Sequence, residues 1–399
     1  MASDLKEEIK KFVQELTPKL IEIRRHIHMH PELSYQEYET MEYVSKILSE
    51  YGIAHEKGVA NTGVVALIEG EKPGKVVAIR ADMDALPIEE KNDVPYKSQN
   101  PGVMHACGHD SHTTVALGAA ITLNHFRQYI KGTVKFIFQP GEEKNPGGAS
   151  LMIKAGALEN PKVDMIFGLH SDPRYRAGEI GYRYGAMMAE PDEIRIKIKG
   201  KSGHGASPHL TVDPIVIAAE VIMGLQKIPS RMVDPNEKIV VTIGKIEGGH
   251  TTNVIPDEVN MLGTVRTLNP EITHQIPKMM EQIIRGITSA YGGDYELKYD
   301  FGYPVLINDE QANDILVESG KEFLGPENVK EVPQPSMGGE DFSFYLRKVK
   351  GAFYRLGTGN PEKGITEYWH NSRYNIDEDA LPVGAGFMAY LALKTLQKL

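Results

Sequence analysis

The sequence contains only one cysteine, Cys107, so no disulfide bond can form within a single chain. A lone unpaired thiol is typical of proteins from a reducing compartment. The N-terminal stretch is charged and has no apolar segment of the kind found in secretory signals. No apolar run approaches the roughly 18 residues that a membrane-spanning helix needs. We therefore predict a cytoplasmic protein with no membrane partner.

The chain also lacks an excess of basic residues. It has 44 Lys and Arg against 54 Asp and Glu, and its formal net charge is −10. Nucleic acids and anionic membranes attract concentrated Lys and Arg, so we predict no nucleic-acid partner. No internal repeat or low-complexity segment is present. The length of 399 residues exceeds what one ordinary hydrophobic core supports, and two domains are expected.

Apolar segments of strand length alternate with helical segments in the first half of the chain. Near-continuous apolar character is typical of strands buried on both faces, whereas apolar residues at a spacing of three to four indicate helices. The strand segments are 64–68, 76–79, 134–138 and 163–169, and helical segments include 5–23, 36–50, 110–126 and 149–155. This order predicts an α/β fold on a mostly parallel sheet covered by helices.

The pattern changes near residue 190, where strictly alternating polar and apolar residues replace the continuous apolar runs. Alternation is typical of a strand with one solvated face. The segments are a strand at 193–199, a helix at 213–228, strands at 239–246 and 259–267, a helix at 275–290 and a strand at 295–299. This β-α-β-β-α-β order is ferredoxin-like. We predict an inserted domain of residues 189–302 within a first domain of residues 1–188 and 303–399.

Residues 104–112 place a thiol, three imidazoles and a carboxylate within nine positions. Thiolate and imidazole are suitable ligands for zinc and related divalent ions, and Cys-x-His in a loop can direct two donors at one ion. The alternative is a buried cysteine that acts as a small hydrophobic residue.

Further candidate donors follow predicted strands. Asp82 and Asp84 come after one strand, Glu142 and Glu143 after a second, and His170 ends a third. Sites in open α/β sheets form beyond the carboxyl ends of strands, although single acids at such ends are often turn or cap residues. Adjacent glutamates repel unless a cation is present. One of the pair could bind metal while the other acts as general base; the alternative is a solvated acidic turn.

Seven motifs along the chain resemble one superfamily, that of the aminoacylase and carboxypeptidase two-metal amidohydrolases. The nearest branch contains hippurate hydrolases, N-acyl-amino-acid amidohydrolases and auxin-conjugate hydrolases. The motifs span almost the whole chain and are RHIHMHPEL at 25–33, ADMDALP at 81–87, ACGHD at 106–110, QPGEE at 139–143, KSGHGA at 201–206, NVIP at 253–256 and GGEDF at 338–342.

The resemblance implies a ligand set for two divalent metal ions, with zinc favoured over manganese, cobalt and nickel. The implied ligands are Cys107, His109, Glu143, His170 and His370. Cys107 replaces a bridging aspartate of other members, and His109 takes over from a ligand histidine whose place is occupied by Arg80.

Other residues of the motifs receive different roles. Glu142 is the implied general base, and Asp82 is expected to orient a ligand or neutralise Arg80. His105 and His112 are expected to pack beside the site. The N-terminal histidines, His26, His28 and His30, are expected to be structural residues near the site entrance.

The inserted domain is expected from the same resemblance to dimerise and to cover the site. It would supply His204 to the active site, and Asn253 and Arg266 to hold the substrate carboxylate, because an arginine can bond both carboxylate oxygens. The alternatives are that His204 is an ordinary loop histidine and that Arg266 is a surface arginine on a sheet, neither with a role in the site. A homodimer or a dimer of dimers through this domain is expected.

These inferences predict a metal-dependent amidohydrolase that cleaves acetyl- or benzoyl-type N-acyl amino acids. The nearest alternative is a metallocarboxypeptidase or dipeptidase with the same metal site, acting on short peptides. A non-catalytic metal-binding protein is disfavoured by the intact Glu142. A two-metal phosphoesterase is disfavoured because phosphate sites with magnesium use hard oxygen ligands.

Overall fold

The structure is a computed structural model that describes residues 2–399, with side chains from residue 5 onward. The backbone divides into two compact units. The first unit comprises the residues up to 185 together with 307–334 and 341–399, and the second comprises 186–306 and 335–340. None of the helices in the described part of the chain is long and apolar enough to cross a membrane.

The elements follow one another in the order below. The first stretch contains α1 (Ala2–Met29), α2 (Tyr38–Glu50), β1 (Ala54–Val59), β2 (Gly63–Glu69), β3 (Lys72–Asp82), α3 (His109–His125), β4 (Lys131–Gln139), α4 (Gly148–Lys154), β5 (Met165–Arg176), β6 (Ile180–Tyr182) and β7 (Gly185–Met188). The middle stretch contains β8 (Glu190–Lys199), β9 (Gly203–His204), α5 (Pro214–Leu225), β10 (Ile239–Glu247), β11 (Val254–Ile255), β12 (Glu258–Thr267), α6 (Pro270–Ala290) and β13 (Asp294–Asp300). The last stretch contains β14 (Leu306–Asn308), α7 (Glu310–Leu324), β15 (Val329–Glu331), α8 (Ser343–Leu346), β16 (Lys350–Gly359) and α9 (Ala380–Lys398).

The first unit is built on an eight-stranded sheet in the order β1-β2-β4-β3-β5-β16-β6-β15. Its centre, β4-β3-β5-β16, is parallel, and β1 and β2 add to it in antiparallel fashion. The central strands are buried, as the continuous apolar runs predicted. Helices α1, α3 and α9 pack together in the hydrophobic core of this unit. The prediction of a mostly parallel α/β sheet is confirmed.

The second unit has a four-stranded antiparallel sheet in the order β10-β12-β8-β13. The apolar side chains of β8, Ile194, Ile196 and Ile198, are buried and belong to one core cluster with residues of α5 and α6. The alternating polar residues of the same strand are more exposed. With α5 after the first strand and α6 before the last, this is the predicted ferredoxin-like plan.

The observed boundary between the units differs from the predicted one at residues 335–340. The prediction placed this segment in the first domain, but the backbone clusters it with the second unit. The reason is hydrogen bonding: the Ala189 amide donates to the carbonyls of Ser336 and Gly338, and the Ser336 amide donates to the Met187 carbonyl. Such pairing between distant segments leaves no local signal in the sequence.

Candidate metal centre

The candidate metal donors converge at one edge of the eight-stranded sheet. Glu142 and Glu143 follow β4, His170 lies on β5, and Cys107 and His109 stand at the start of α3. Strands β3, β4 and β5 are parallel neighbours, with Asp82 opposite Gln139 in the register. Their carboxyl ends therefore meet at the same edge, as is usual for sites in open α/β sheets.

Two groups of possible ligand atoms share Cys107. The first comprises Cys107, His109 and His170, and the second comprises Cys107, Glu143 and His370; within each group the atoms lie within 4.8 Å of one another. The Cys107 sulfur is 3.3 Å from His170 Nε2, and Glu143 Oε1 is 3.3 Å from His370 Nε2. The five residues form two adjacent donor groups that share the thiol, and together they would hold two divalent cations.

The orientation of His109 suits a metal ligand. Its Nδ1 lies 3.2 Å from Asp84 Oδ1, so the Nδ1 proton can be donated to this carboxylate. Its buried Nε2 has no hydrogen-bond partner among residues 2–399. The buried Glu143 Oε1, 3.9 Å away, also makes no hydrogen bond within these residues, although it lies 3.3 Å from His370 Nε2 as an ion pair. Buried polar atoms are nearly always bonded. A cation beside both atoms would satisfy them, and a carboxylate on the second ring nitrogen is a common partner of a metal-binding histidine.

His170 is oriented in the same way by the main chain. Its Nδ1 lies 2.8 Å from the Ser171 carbonyl oxygen, which can only accept a hydrogen bond. The proton therefore sits on Nδ1, and the lone pair of Nε2 points toward the Cys107 sulfur.

The electrostatics of the site favour a bound cation. Burial by itself lowers the pKa of His109, but Asp82, Asp84 and Glu143 outweigh it and raise this pKa to about 10. Burial, together with Glu143 and Glu142, raises the pKa of the Cys107 thiol well above its ordinary value. The site thus holds a surplus of negative charge, which a divalent ion would neutralise while stabilising the thiolate.

His112 is excluded as a ligand by its hydrogen bonds. Its Nδ1 is 2.6 Å from Asp82 Oδ1, and its Nε2 accepts the Ser171 amide hydrogen at 2.8 Å. Both nitrogens are therefore used, although Asp82, His109 and His112 also form a compact group. Asp82 additionally accepts from Arg80 at 2.6 Å. Asp82 thus holds Arg80 and His112.

Glu142 lies beside the two donor groups. It is buried, and one carboxylate oxygen lies within 4.8 Å of donor atoms of His109 and Glu143. The amide of Asp341 donates to its Oε1 at 3.4 Å. The Asp341 carboxylate in turn accepts from Arg80 at 2.6 Å and from Gln139 at 2.8 and 2.9 Å. The amide that contacts Glu142 is therefore held by a buried ion pair.

His370 is supplied by the loop before α9. Its φ of 63° is unusual for a residue other than glycine. Its amide donates to the Ala106 carbonyl at 2.8 Å, which ties the loop to the residue before Cys107. The His370 side chain is 55% exposed, in contrast to the other four donor residues.

The predicted substrate-binding residues belong to the second unit. His204 on β9 pairs with Val254 on β11, and the Gly205 amide donates to the Asn253 carbonyl, so His204 and Asn253 are neighbours. The His204 Nδ1 accepts from the Ala206 amide at 3.0 Å. Arg266 is half-buried on β12. Burial lowers the pKa of Arg266, and Asp192 and Glu193 oppose that effect.

His26, His28 and His105 are engaged in packing or in hydrogen bonds away from the donor groups. His28 bonds to Asp110 at 2.8 Å and Glu90 at 3.2 Å, and the His26 ring stacks on Tyr43 at a centroid distance of 3.8 Å. His105 is fully buried, and burial lowers its pKa to about 3.

Sequence reasoning missed the role of Asp84. This carboxylate accepts from His109 Nδ1 and from the amides of both Glu142 and Glu143, the latter two at 3.0 Å. Its position after β3 marked it as a candidate donor, but nothing in the sequence indicated that it would bond three other residues of the site.

Comparison with known proteins identifies one peptidase family and relatives that are amide or peptide hydrolases. The family model "Peptidase family M20/M25/M40" matches residues 78–394. An N-acyl-L-amino acid amidohydrolase of Geobacillus stearothermophilus is 46% identical over 77% of this chain and 83% of its own length. Thermostable carboxypeptidase 2 of Saccharolobus solfataricus is 41% identical over 99% of this chain and 100% of its own length.

A solved structure supports the fold. A dinuclear metal binding peptidase of the M20 family from Bacillus subtilis is 38% identical to this chain, with a TM-score of 0.85 over 97% of this chain and 99% of that one.

Proposed function

Since this chain belongs to peptidase family M20/M25/M40 and is a metal-dependent hydrolase of amide or peptide bonds, we propose that it cleaves N-acyl amino acids. The products would be a carboxylic acid and a free amino acid. The resemblance noted in the sequence is confirmed at the level of the family. The substrate and the roles of individual residues are proposals.

The observation that carries the proposal is the pair of donor groups joined at Cys107, with the Glu142 carboxylate beside them. Cys107, His109, Glu143, His170 and His370 would hold two divalent metal ions. When bound, such ions act as Lewis acids toward an amide carbonyl and toward water. Zinc is favoured because thiolate and imidazole dominate the donor set; manganese, cobalt and nickel are alternatives.

Glu142 is proposed as the group that moves the proton. Its carboxylate is held by the Asp341 amide on one oxygen, and its own amide is held by Asp84. It would accept a proton from the attacking water and deliver it to the departing nitrogen, which is general acid–base catalysis at a fixed position.

The substrate is proposed to be held by the second unit. Arg266 and Asn253 would bind the amino-acid carboxylate, and His204 would donate to the oxyanion that develops at the acyl carbon. His204 and Asn253 are adjacent in the structure, which supports a shared function.

A carboxypeptidase activity is the alternative function. It is supported by the 41% identity of this chain to thermostable carboxypeptidase 2. The two activities use the same metal centre and differ in the group on the acyl side of the cleaved bond.

A substrate comparison on metal-reconstituted protein tests the proposal. Release of free amine is measured from N-acetyl and N-benzoyl amino acids and from dipeptides with the same C-terminal residue. We expect a higher kcat/KM for the N-acyl amino acids, and no release after chelation. A higher kcat/KM for the dipeptides would select the carboxypeptidase, and no release from either series by protein with full metal content would contradict amide hydrolysis of these substrates.

Metal analysis tests the donor set. Reconstituted protein should approach two divalent ions per chain, and Cys107→Ala should lose metal and activity together because the thiol is common to both donor groups. Full metal content in this variant would contradict the assignment of Cys107 and favour a buried thiol without a ligand role.

A further inference from the structure

Trp369 is the only tryptophan in the chain, and it directly precedes His370. Its indole packs against the imidazole of His170, with ring centroids 4.5 Å apart and an interplanar angle of 59°. Its Nε1–H donates to the Ser171 carbonyl at 2.7 Å. Trp369 therefore contacts the candidate ligand His170 through its side chain and is joined by a peptide bond to the candidate ligand His370.

The carbonyl that Trp369 binds is the one that orients His170. The Ser171 oxygen accepts both the indole N–H and the Nδ1–H of His170, at 2.7 and 2.8 Å. The next residue, His370, donates its amide to the Ala106 carbonyl. The dipeptide 369–370 is thus hydrogen-bonded to the immediate neighbours of His170 and of Cys107.

The indole is itself held by surrounding charge. The guanidinium carbons of Arg355 and Arg174 lie 4.9 and 5.8 Å from the ring centroid, distances at which cations are attracted to an indole face. Arg174 is fixed by two hydrogen bonds to the buried Asp172, at 2.9 and 2.7 Å. The two arginines therefore restrain the position of the indole ring beside His170.

The His370 backbone requires such restraint. A non-glycine residue with φ of 63° is strained and persists only where neighbouring structure enforces it. The His370 side chain is more than half exposed and is not held by burial. The restraint comes from the contacts of the loop: the amide bond of His370 to the Ala106 carbonyl, the ion pair of His370 with Glu143 and the indole bond of Trp369 to Ser171.

We propose that Trp369 is a positioning residue of the metal centre, which holds the His370 loop against His170 so that both histidines face their cations before metal binds. The inference rests on the proposed two-metal function. It has two consequences: metal affinity depends on Trp369, and the fluorescence of this sole tryptophan reports metal binding at a ring 4.5 Å away.

Metal titration of chelator-treated protein tests the inference without substrate. Adding Zn²⁺ to the wild type should change the tryptophan fluorescence in proportion to the metal bound. Trp369→Phe keeps an aromatic ring but removes the N–H donor, and its dissociation constant for Zn²⁺, measured by calorimetry, should rise about 10-fold. Trp369→Leu removes the ring as well and should raise it toward 100-fold, the usual upper scale for residues that orient ligands.

Tyr368→Phe is the matched control. It removes one hydroxyl from the exposed neighbouring residue of the same loop and keeps the ring that packs on the Trp369 indole at a centroid distance of 4.4 Å, so it should bind Zn²⁺ as the wild type does. The thermal unfolding midpoint of each metal-free variant separates folding from positioning. If Trp369→Phe lowers that midpoint but binds Zn²⁺ with unchanged affinity, Trp369 is only structural and the proposal is overturned. If Trp369→Leu does not fold, the Zn²⁺ affinity of Trp369→Phe alone decides whether Trp369 positions the metal centre.

The outcome can be separated from that of the proposed function. Wild-type and variant proteins that bind metal equally would overturn the role of Trp369 and leave the amidohydrolase proposal intact. Wild-type protein that binds metal but cleaves no N-acyl amino acid would overturn the proposed substrate, and the role of Trp369 would still be decided by the affinities.

Discussion

Asp84 connects three candidate functional residues of the metal centre, His109, Glu142 and Glu143, through one carboxylate. It accepts from the imidazole of His109, from the amides of Glu142 and Glu143, and from the Ser34 hydroxyl at 2.6 Å. Burial would raise its pKa, but the hydrogen bond and charge of His109 and the other donors lower it. Asp84 thus stays ionised in a buried site, and it fixes the relative positions of a candidate ligand, His109, and the proposed base, Glu142.

The two adjacent glutamates should give opposite phenotypes. Glu142→Gln keeps the shape of the side chain but removes the base, so metal binding should persist while kcat falls by about 10²–10⁴-fold. Glu143→Gln removes a charged donor near His109 and His370 and should weaken metal binding. Metal content and kcat of the two variants, measured side by side, check this. Reversed phenotypes would mean that the two roles are exchanged.

Metal binding should release protons. In the metal-free protein at pH 7, His109 is protonated because its pKa is raised to about 10. The Cys107 thiol is also protonated, because burial and the nearby glutamates raise its pKa well above its ordinary value. Both must lose a proton to bind metal, so about two protons should be released and the apparent affinity should rise with pH. His170 contributes none, because burial lowers its pKa and it is already neutral.

Calorimetry in buffers of different ionisation enthalpy measures this release. The observed binding enthalpy at pH 7 should vary linearly with the buffer's ionisation enthalpy, with a slope that counts the protons. A slope of zero would show that neither residue changes its protonation state on metal binding.

At the scale of elements, the start of α3 explains how Cys107 and His109 reach the site. The helix is preceded by Gly108 in the left-handed region, with φ of 87°, which turns the chain between the two donors. A Cβ at this glycine would collide with the Ser171 hydroxyl and lie 2.7 Å from the Tyr374 hydroxyl. The turn therefore requires glycine both for its backbone conformation and for space.

Gly108→Ala should accordingly impair folding and metal binding together. The matched control is Gly102→Ala, whose φ is 76° but whose Cβ would have nothing within 4 Å. The control should lose about 1–2 kcal/mol, the usual cost of a left-handed alanine, and bind metal normally. Denaturant unfolding and zinc titration of both variants measure the difference. Equal effects would show that the space beside Gly108 has no part in forming the site.

At the scale of the whole molecule, the second unit offers a surface for self-association. Among residues 2–399, β10 and β13 are the edge strands of its sheet, and edge strands usually need a cover or a partner. Strand β10 also exposes Val240 and Ile246. A twofold pairing of two such edges would give a closed homodimer, which we propose for this chain.

Mixed dimers test whether His204 acts on the partner's metal centre. Glu142→Gln retains His204, and His204→Ala retains Glu142, so each inactive variant supplies what the other lacks. If His204 crosses between subunits, mixing and reassembling the variants should restore activity to about half of the sites in mixed dimers. A confirmed mixed dimer without recovered activity would show that His204 acts within its own chain or has no catalytic part.

The sequence by itself determined the architecture and the residues to consider at the site. Continuous apolar runs predicted the buried parallel strands, and alternation at 193–199 predicted the solvated sheet of the second unit. These patterns are readable because the period of a strand or helix is local. The motifs, each a contiguous stretch, pointed to the family and contain three of the five donor residues, Cys107, His109 and Glu143; His170 was marked by its place at the end of a strand, and His370 came only from the resemblance.

The tertiary structure alone decided how those residues are connected. The two bonds that occupy the His112 nitrogens join it to residues 30 and 59 positions away, and the indole bond of Trp369 joins it to Ser171, 198 positions away. The assignment of residues 335–340 to the second unit depends on pairing with Met187 and Ala189. Local patterns cannot encode such contacts, because they form only when the sheet brings the ends of β3, β4 and β5 together with the loops that follow them.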